Sequence, residues 1–278
     1  MKKILITGNS GYIGSHLTKL LKDEYVLHGL DLKVPQIDIN YHLIRDIRRP
    51  GFHLDRTYDA VVHLAALVNV GESVHEPIDY YDTNMNGTMN VLRNIKTKNF
   101  ILASTGGAQD CLSPYSVSKR AAEDCTREFC QARGIPFTMF RFYNVIGSDG
   151  IEPTNPDGLM YNLMKGPERG EFTIFGDDYN TMDGTCVRDY VHVMEICHAI
   201  RTAIENPSGK IECLGHGIGH TVAEMVVQFR QVNGIKNIDM LTKIGPRRPG
   251  DMESSVLRDV SPYMKKLYTM NDLLRLVP

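Results

Sequence analysis

The sequence predicts an α/β fold built on a doubly wound parallel sheet, with a smaller C-terminal lobe. A short β-branched apolar run at residues 2–7 is followed by a glycine-rich turn and then by apolar residues at helical spacing over 15–22. Helical patterns alternate with further strand-like apolar runs, at 26–30, 58–66, 100–105 and 137–145. Continuous apolar strands of this kind are typical of a parallel sheet buried on both faces, the Rossmann arrangement.

The glycine-rich turn between the first strand and the first helix predicts a dinucleotide site. Gly8, Gly11 and Gly14 recur at a three-residue interval, which suits a backbone that needs positive φ, lies against a ligand and packs closely on its strand. The helix N-terminus offers N–H groups and the positive end of its dipole to a pyrophosphate. The second strand ends in Asp31, an acid placed to hold ribose hydroxyls and to repel a 2′-phosphate. The stretch therefore favours NAD over NADP.

Length and composition exclude several classes of protein. The 278 residues suffice for one large or two modest domains, and 31 Lys and Arg nearly balance 33 Asp and Glu. We therefore expect small-molecule partners, with no nucleic acid and no membrane. The six cysteines form no CxxC pair and no metal-ligand cluster, and no signal peptide precedes the first strand. We expect reduced, buried thiols in a cytoplasmic protein without a metal.

Two middle segments end where such a sheet binds its cofactor. Residues 41–44 predict a third strand, and Asp46 behind it could accept a hydrogen bond from an adenine amino group or could be a solvated loop acid. The run at 58–66 ends in small residues, which would let a ligand lie on the backbone or would simply pack the core.

A helix is predicted over 82–96, with Asn84 near its start as a cap or as a side chain that holds an active-site strand in place.

A tyrosine and a lysine form the candidate catalytic pair. The strand at 100–105 delivers Ser104 and Thr105 at its carboxyl end, where α/β sheets place their chemistry. Tyr115 and Lys119 follow on a long helix, four residues apart and hence on one face. A cation beside the phenol would lower the tyrosine pKa and prepare it as a general base or acid for a hydroxyl group. The alternative is an exposed lysine next to a half-buried tyrosine.

Composition changes after the strand at 137–145. Residues 147–170 are rich in Gly, Pro, Asp and Asn and predict a loop-rich excursion rather than another βα unit. A helix at 193–205, a buried strand at 210–215 and an amphipathic helix at 222–232 follow. Arg188 and Arg248 could clamp a diphosphate by bidentate hydrogen bonds, or could form surface ion pairs.

Four stretches together resemble a known family: TGNSGYIGSH at 7–16, VGESVHEPIDYYDTNMNGT at 70–88, SPYSVSK at 113–119 and IFGDDYNTMDGTCVRDYVHV at 174–193. The chain resembles the extended short-chain dehydrogenase/reductase family of nucleotide-sugar-modifying enzymes, and most closely its UDP-galactose (UDP-glucose) 4-epimerases. The resemblance implies an NAD-dependent isomerase that epimerises C4 of a UDP-hexose through a 4-keto intermediate. It also implies a homodimer that pairs through helices at about 83–97 and 116–133.

The resemblance assigns roles to individual residues. Those implied for NAD are Gly8, Gly11, Tyr12, Ile13 and Gly14 at the pyrophosphate, Asp31 with Leu32 at the adenosine ribose, Asp46 and Ile47 at the adenine, Leu64, Ala65 and Ala66 in mid-crevice, and Tyr115, Lys119 and Tyr143 at the nicotinamide. Those implied for catalysis are Tyr115, Lys119, Thr105 and Ser104, and those for the nucleotide sugar are Asn144, Arg188, Arg248 and Asp251. We expect the NAD-binding domain at 1–145 and 187–216, and the nucleotide-sugar-binding lobe at 146–186 and 217–278.

Several positions depart from the family pattern. The segment between Thr105 and Tyr115 is shorter than usual, so less chain is available to cover the sugar. Three other departures are Val68 for a lysine, Thr83 for an asparagine and Gly158 for an asparagine or histidine. A small residue, Ser255, stands where a bulky aromatic would restrict the pocket, which predicts tolerance of N-acetylated sugars.

Three alternatives use the same motifs. A 4,6-dehydratase would need an Asp-Glu pair after the catalytic threonine, where this chain has Gly106 and Gly107. A nucleotide-sugar reductase or dehydrogenase would use the same tyrosine and lysine but release the changed cofactor. A non-catalytic NAD-binding scaffold would keep the fold without the reaction.

Overall fold

The structure is a computed structural model of the chain and describes residues 1–49, 51, 54 and 56–276. Its strands are β1 Lys3–Thr7, β2 Val26–Asp31, β3 Tyr41–Ile44, β4 Thr57–Tyr58, β5 Ala60–His63, β6 Lys96–Thr97, β7 Phe100–Thr105, β8 Phe137–Phe142, β9 Asn144–Ile146, β10 Glu171–Phe175, β11 Val187–His192, β12 Ile211–Leu214, β13 Gly219–Thr221, β14 Leu241–Gly245 and β15 Ser254–Ser255. Its α-helices are α1 Tyr12–Leu21, α2 Val70–His75, α3 Pro77–Tyr80, α4 Gly87–Asn94, α5 Pro114–Arg133, α6 Leu159–Arg169, α7 Val193–Glu205, α8 Val222–Asn233 and α9 Met270–Leu274.

The chain divides into two compact units. The first comprises Met1–Phe142 and Cys197–Glu212, and the second comprises Tyr143–Ile196 and the described chain from Cys213 onward. The sequence places 187–216 with the first domain, whereas the structure groups 187–196 with the second unit. The reason is strand pairing, because β11 pairs with β9, β13 and β15.

The first unit is built on the parallel sheet that the sequence predicts. Its seven strands run in the order β12, β8, β7, β5, β1, β2, β3, and β3, β2, β1, β5, β7 and β8 pair parallel along this path. The strand order reverses between β1 and β5, so the connections leave these neighbours in opposite directions. In a doubly wound sheet the ligand crevice lies at the carboxyl ends of such a pair. The fold class is confirmed.

One apolar core joins the sheet to its helices in the first unit. Its fully buried members include Leu5, Val61 and Leu102 from the strands and Val91 and Ala122 from α4 and α5. Burial of a leucine or valine side chain contributes about 1.5–3 kcal/mol each. The helices that carry the candidate site are therefore held on the sheet by ordinary hydrophobic packing.

The helix expected over 82–96 is interrupted at its start. A π-helical turn, Tyr81–Asn86, precedes α4. The Asn84 side chain bonds the backbone N–H and carbonyl of Leu67 at 2.9 and 3.0 Å, and the Thr88 hydroxyl donates to the Asn84 carbonyl at 2.6 Å. A side chain that competes for a helical carbonyl and tertiary bonds at the same residue favour such a bulge. The Asn84 side chain thus attaches the helix to the segment that follows β5.

The expectation of an irregular excursion over 147–170 is wrong in its second half, where α6 forms. Met160 and Leu163 are buried on one face of this helix, which also contains Gly166 and Pro167 near its end. Most of the other glycine, proline and aspartate residues that suggested a loop precede the helix. The sequence also gave no indication of β14, which pairs parallel with β10, or of α9. Helix α9 buries Leu273 and Leu274 in the core of the second unit, whereas β14 is largely exposed and is held by its pairing with β10.

The six cysteines of the chain all lie within the described residues. All six cysteines are free, with Cys130, Cys186 and Cys197 buried and the other three partly buried. Within the described ranges, no group of three or more His, Cys, Asp or Glu side chains is arranged to hold a metal ion. None of the helices in these ranges combines the length and apolarity that crossing a membrane requires.

A buried carboxylate organises the second unit. Glu195, in the first turn of α7, is 1% exposed and accepts bonds from the His192 N–H at 3.0 Å, the His216 Nε2 at 2.9 Å and the Leu267 N–H at 2.7 Å. Burial raises the pKa of Glu195, but the hydrogen bonds from His216, Leu267 and His192 outweigh it and hold the pKa below its ordinary value. The ionised carboxylate therefore ties three segments of the chain together.

We expect Glu195→Gln to lower the free energy of unfolding at pH 7 by about 2 kcal/mol, because hydrogen bonds to a charged group are replaced by neutral ones. A depressed pKa in the folded state means that this contribution is present above the unfolded carboxyl pKa of about 4.3 and is lost as the pH falls further. Thermal denaturation of wild type and variant between pH 7 and pH 3 should show a constant gap in Tm that narrows below about pH 4.3. Glu128→Gln, at an exposed glutamate of α5, is the control, and a gap that widens on acidification would contradict the assignment.

Candidate active site

The turn after β1 fits a dinucleotide diphosphate. Gly8 has φ +75°, and a Cβ there would lie 2.6 Å from the backbone nitrogen of Ala65. A Cβ on Gly14 would overlap the carbonyl oxygen of Gly8. Gly11 is the N-cap of α1 and places no side chain over the helix N-terminus. Close backbone approach and an uncovered helix N-terminus are what a bound diphosphate requires.

Asp31 stands beside this turn as the sequence predicts. Its Oδ2 accepts a bond from the Ser10 N–H at 3.0 Å, and its Oδ1 accepts one from the Lys33 N–H at 3.0 Å. Each carboxylate oxygen has a second lone pair that can accept a ribose hydroxyl. Leu32 follows with its side chain 61% exposed. The carboxylate is thereby oriented before any ligand arrives.

The end of β5 supplies an exposed stretch of backbone. Leu64, Ala65 and Ala66 are partly exposed, and the Leu64 N–H donates to the Thr7 carbonyl at 3.0 Å. Just before them, the buried His63 ring bonds Thr7 Oγ1 at 2.6 Å and Thr88 Oγ1 at 2.9 Å. Burial, and then the Lys119 cation, lower the pKa of His63 to about 3, so the ring is neutral and structural.

Asp46 after β3 has a partner that sequence reasoning missed. Arg48 donates from Nε and Nη2 to its carboxylate at 2.8–3.1 Å, and this bidentate hydrogen bond holds the pKa of Asp46 below its ordinary value. Ile47 is 5% exposed and packs against Gly87, where a Cβ would lie 2.7 Å from it. Asp46 is therefore paired with Arg48 and partly buried, whereas its position in the sequence also allowed a solvated loop acid.

Tyr115, Thr105 and Lys119 come together at the carboxyl end of β7. The side chains of Tyr115 and Thr105 are hydrogen-bonded, and the Thr105 hydroxyl also accepts a bond from the Gly107 N–H at 3.4 Å. Tyr115 is partly exposed and Lys119 is 4% exposed. The tyrosine ring meets the buried Tyr80 ring edge to face at 6.3 Å. The phenol is therefore positioned by three neighbouring elements.

The protonation states differ from the sequence-based expectation. Burial raises the pKa of Tyr115 to about 12, and the Thr105 hydrogen bond lowers it only in part. Burial likewise lowers the pKa of Lys119 to about 8, although Glu123 opposes this shift. The direction of the shift is opposite to the expectation that Lys119 brings the tyrosine pKa toward neutrality, because desolvation of the phenolate is the largest cause of the shift and attraction by Lys119 is not among its causes.

Ser104 is bonded to a different partner from its neighbour. It is 4% exposed, and its hydroxyl donates to Glu123 Oε1 at 2.5 Å. Glu123 also accepts from Arg141 Nε at 2.9 Å and from Arg141 Nη2 at 2.7 Å. Ser104 thus helps to attach α5 to the end of β7, whereas Thr105 bonds the candidate catalytic phenol of Tyr115.

The second unit gathers the candidate anion-binding residues around one carboxylate. Asp251 Oδ2 accepts from Arg248 Nε at 2.8 Å, and its Oδ1 lies 3.8 Å from Arg188 Nη2. Arg248 Nη1 donates to the Asp157 carbonyl at 3.2 Å, beside Gly158, the N-cap of α6. The Arg248 guanidinium thus lies beside a helix N-terminus, and the Arg188 guanidinium faces the same carboxylate, an arrangement that suits phosphate groups.

Other implied residues of the second unit are placed by strands. Tyr143 donates its N–H to the Leu214 carbonyl at 3.1 Å, and Asn144 pairs with Tyr190 at the start of β9. Ser255 lies on β15, in register with Arg188.

Sequence reasoning missed five residues that the geometry brings into view. Glu123 could have been found by extending the four-residue spacing of Tyr115 and Lys119 by one turn. Phe175 ends β10 with the Arg248 guanidinium 4.9 Å over its ring, and an aromatic residue just before a glycine is only a weak signal. Tyr80 and Arg141 carry no signal, because Tyr115 and Glu123 are distant from them in the sequence. Arg48 lies only two residues from its partner Asp46, so this ion pair could have been suggested by local spacing.

The chain is similar to known proteins in both sequence and fold. Residues 4–213 match the NAD dependent epimerase/dehydratase family. A UDP-glucose 4-epimerase 2 from Oryza sativa subsp. japonica is 32% identical over 91% of this chain and 74% of that protein. The solved UDP-glucose 4-epimerase of Brucella ovis in complex with NAD has a TM-score of 0.85 at 25% identity, over 99% of this chain and 97% of that chain. The enzyme of Bifidobacterium longum in complex with NAD+ and UDP has a TM-score of 0.83 at 26% identity, over 98% and 96%.

The family match covers well over half of the chain, and the relatives align along nearly all of it. The sheet order and the glycine turn agree with that match. The chain therefore belongs to the NAD dependent epimerase/dehydratase family, as its motifs predict.

Proposed function

We propose that this protein is an NAD-dependent isomerase that epimerises C4 of a UDP-hexose through a 4-keto intermediate. The observation that carries the proposal is the hydrogen bond between Thr105 and Tyr115, with the buried Lys119 one helical turn away. The relatives named UDP-glucose 4-epimerase support the same reaction.

All residues proposed for NAD except Tyr143 lie in the first unit. The turn from Gly8 to Gly14, with Tyr12 and Ile13 at the start of α1, would hold the pyrophosphate. Asp31 would bind the adenosine ribose beside Leu32, and Asp46 with Ile47 would border the adenine. The remaining contacts would come from Leu64, Ala65, Ala66, Tyr115, Lys119 and Tyr143.

Tyr115 is the proposed proton acceptor and donor. Bound NAD supplies the hydride acceptor and donor for C4, and its cationic ring adds the positive charge that favours a phenolate. Tyr115 takes the proton of the sugar 4-hydroxyl as the ketone forms, and it gives the proton back from its hydroxyl when the ketone is reduced. Thr105 would hold the sugar 4-hydroxyl within reach of Tyr115, and the Lys119 ammonium would stabilise the Tyr115 phenolate.

The second unit holds the residues proposed for the nucleotide. Arg188 and Arg248 would bind the diphosphate, with Asn144 beside it and Asp251 near the nucleotide ribose. Phe175 offers a partly exposed ring on which the base could stack. A substrate held mainly by its nucleotide leaves the sugar ring able to turn, which inversion at C4 requires.

The alternatives find less support. A dehydratase lacks its acid–base pair, since Gly106 and Gly107 form a 3-10 turn at that place. A reductase or dehydrogenase shares the site and differs only in releasing the changed cofactor. We further propose a homodimer that pairs through the region of α4 and α5, and a cytoplasmic location that suits six unpaired cysteines.

A panel of UDP-galactose, UDP-glucose, UDP-GlcNAc and UDP-GalNAc, followed by NMR and by absorbance at the NADH band, tests the proposal. We expect interconversion of each pair at C4 without accumulation of NADH. Turnover of the N-acetylated pair is expected because Ser255 is small. Intact substrates after long incubation with NAD-loaded protein would reject the epimerase, and stoichiometric NADH release would favour the dehydrogenase.

Tyr115→Phe removes the proposed proton-transfer group and keeps the ring. We expect kcat to fall about 10²- to 10⁴-fold, the usual contribution of general acid–base catalysis, while the variant still retains NAD after gel filtration. Tyr25→Phe, which removes a hydroxyl bonded to Glu205 at 2.8 Å, is the control and should keep wild-type kcat. Unchanged turnover in Tyr115→Phe would exclude the assigned role.

Arg248→Ala should weaken binding of the nucleotide sugar. Loss of a charged hydrogen bond of about 1.5–3 kcal/mol predicts a rise in KM of about 10- to 100-fold with little change in kcat. Arg247→Ala is the matched control, because that guanidinium stacks 4.0 Å from the Tyr179 ring centroid and pairs with Asp178. Equal effects of both substitutions on KM would argue against a diphosphate role for Arg248.

A further inference from the structure

Helix α5 carries three ionisable side chains along one face. Tyr115, Lys119 and Glu123 are spaced four residues apart, so they lie one above another. The proposed reaction uses the first two, whereas Glu123 is 0% exposed and its hydrogen bonds go to Ser104 and Arg141. An ionised carboxylate is costly to bury unless it is paired and hydrogen-bonded. Its place in line with the reacting groups therefore needs a physical reason.

The Glu123 carboxylate joins α5 to the ends of two neighbouring strands. Arg141 donates to both of its oxygens, and Ser104 donates to Oε1. Ser104 and Arg141 are partners in the register of β7 and β8. Thr105, which follows Ser104, bonds the phenol of Tyr115. The distance between Thr105 and Tyr115 therefore depends on how Glu123 fixes the strand below them.

Glu123 also determines the charge balance around Lys119. Tyr115 precedes Lys119 by one turn of α5, Glu123 on α5 and His63 on β5 interact electrostatically with Lys119, and Arg141 on β8 pairs with Glu123. Burial lowers the pKa of Lys119 to about 8, and the Glu123 charge opposes that shift. His63 and Tyr115 are neutral at pH 7 because burial moves their pKa values to about 3 and about 12. The protonation of Lys119 near neutral pH thus depends on the Glu123 anion, whose charge Arg141 balances.

We propose that Glu123 is a positioning residue for the proton-transfer pair, holding the Lys119 ammonium in its charged form and fixing the Thr105 end of β7 against Tyr115. This inference rests on the proposed function, in which charged Lys119 stabilises the Tyr115 phenolate. A pair that merely stabilised the fold would leave the titration of Lys119 unaffected.

Two single substitutions separate the electrostatic role from a structural one. Glu123→Gln removes the anion and leaves Arg141 as an unpaired cation, whereas Arg141→Gln removes the cation and leaves the anion. Both break the same buried pair, so both destabilise the fold, but their effects on Lys119 have opposite sign. Thr126→Val is the control for a neutral change at a buried position of α5, since the Thr126 hydroxyl has no partner among the described residues.

The first readout needs no turnover. The pKa of Lys119 is measured by NMR on protein carrying ¹³C at the lysine ε-carbons, with the resonance assigned by Lys119→Arg. We expect the pKa to fall below the wild-type value in Glu123→Gln, to rise in Arg141→Gln and to stay unchanged in Thr126→Val. If Glu123→Gln does not fold, Glu123→Gln combined with Arg141→Met removes both buried charges and should still lower the Lys119 pKa.

The second readout is the pH profile of kcat with UDP-galactose. Protonated Lys119 is the active form, so the rate is lost as the pH rises through its pKa. The alkaline limb should move to lower pH in Glu123→Gln and to higher pH in Arg141→Gln. A fall of one unit in a pKa of about 8 lowers kcat at pH 8 by about fivefold.

Opposite shifts in both readouts support the proposal. Loss of thermal stability in both variants with an unmoved Lys119 pKa, or with shifts of the same sign, would overturn it. Absence of turnover by the wild type would reject the proposed function alone, because the NMR titration still decides whether Glu123 controls the charge of Lys119.

Discussion

The site depends on the attachment of α5 to the carboxyl ends of β7 and β8. Thr105 bonds Tyr115, and Ser104 with Arg141 bonds Glu123 two turns further along the helix. These bonds lie where a doubly wound sheet opens toward its ligand. Because the strands are rigid and the helix is packed on the core, the phenol has little freedom of position. A reacting group that is placed before the substrate binds loses less free energy in reaching its reactive geometry.

The burial of Tyr115 and Lys119 affects their acid–base chemistry as strongly as their position does. Tyr115 is a weaker acid and Lys119 a weaker base than in water, because each charged form is desolvated. Tyr115 is therefore poorly suited to accept a proton until further positive charge arrives beside it. This would restrict phenolate formation to the protein with its cationic cofactor bound. In the second unit, the side chains of Arg188 and Arg248 share the Asp251 carboxylate.

Much of the fold followed from local pattern, and the remainder depended on partners far away in the chain. The parallel sheet, the glycine turn with Asp31 and the spacing of Tyr115 and Lys119 were predictable, because each is encoded in adjacent residues. The π-turn at Tyr81–Asn86 was not, since it arises from bonds between Asn84 and the Leu67 backbone. The direction of the Tyr115 pKa was predicted wrongly, because a sequence shows the neighbouring cation but not the degree of burial. Helix α6 was hidden by the loop-like composition that precedes it.

The central claim is that Tyr115 moves a proton while the hydrogen removed from C4 is the hydrogen later returned to it. The most direct measurement uses UDP-galactose with deuterium at C4, incubated with the NAD-loaded protein in ordinary water. Mass spectrometry and NMR of the UDP-glucose formed should find the deuterium retained at C4. Replacement of that deuterium by solvent hydrogen would show that C4 is deprotonated to water rather than oxidised and reduced, and would contradict the account.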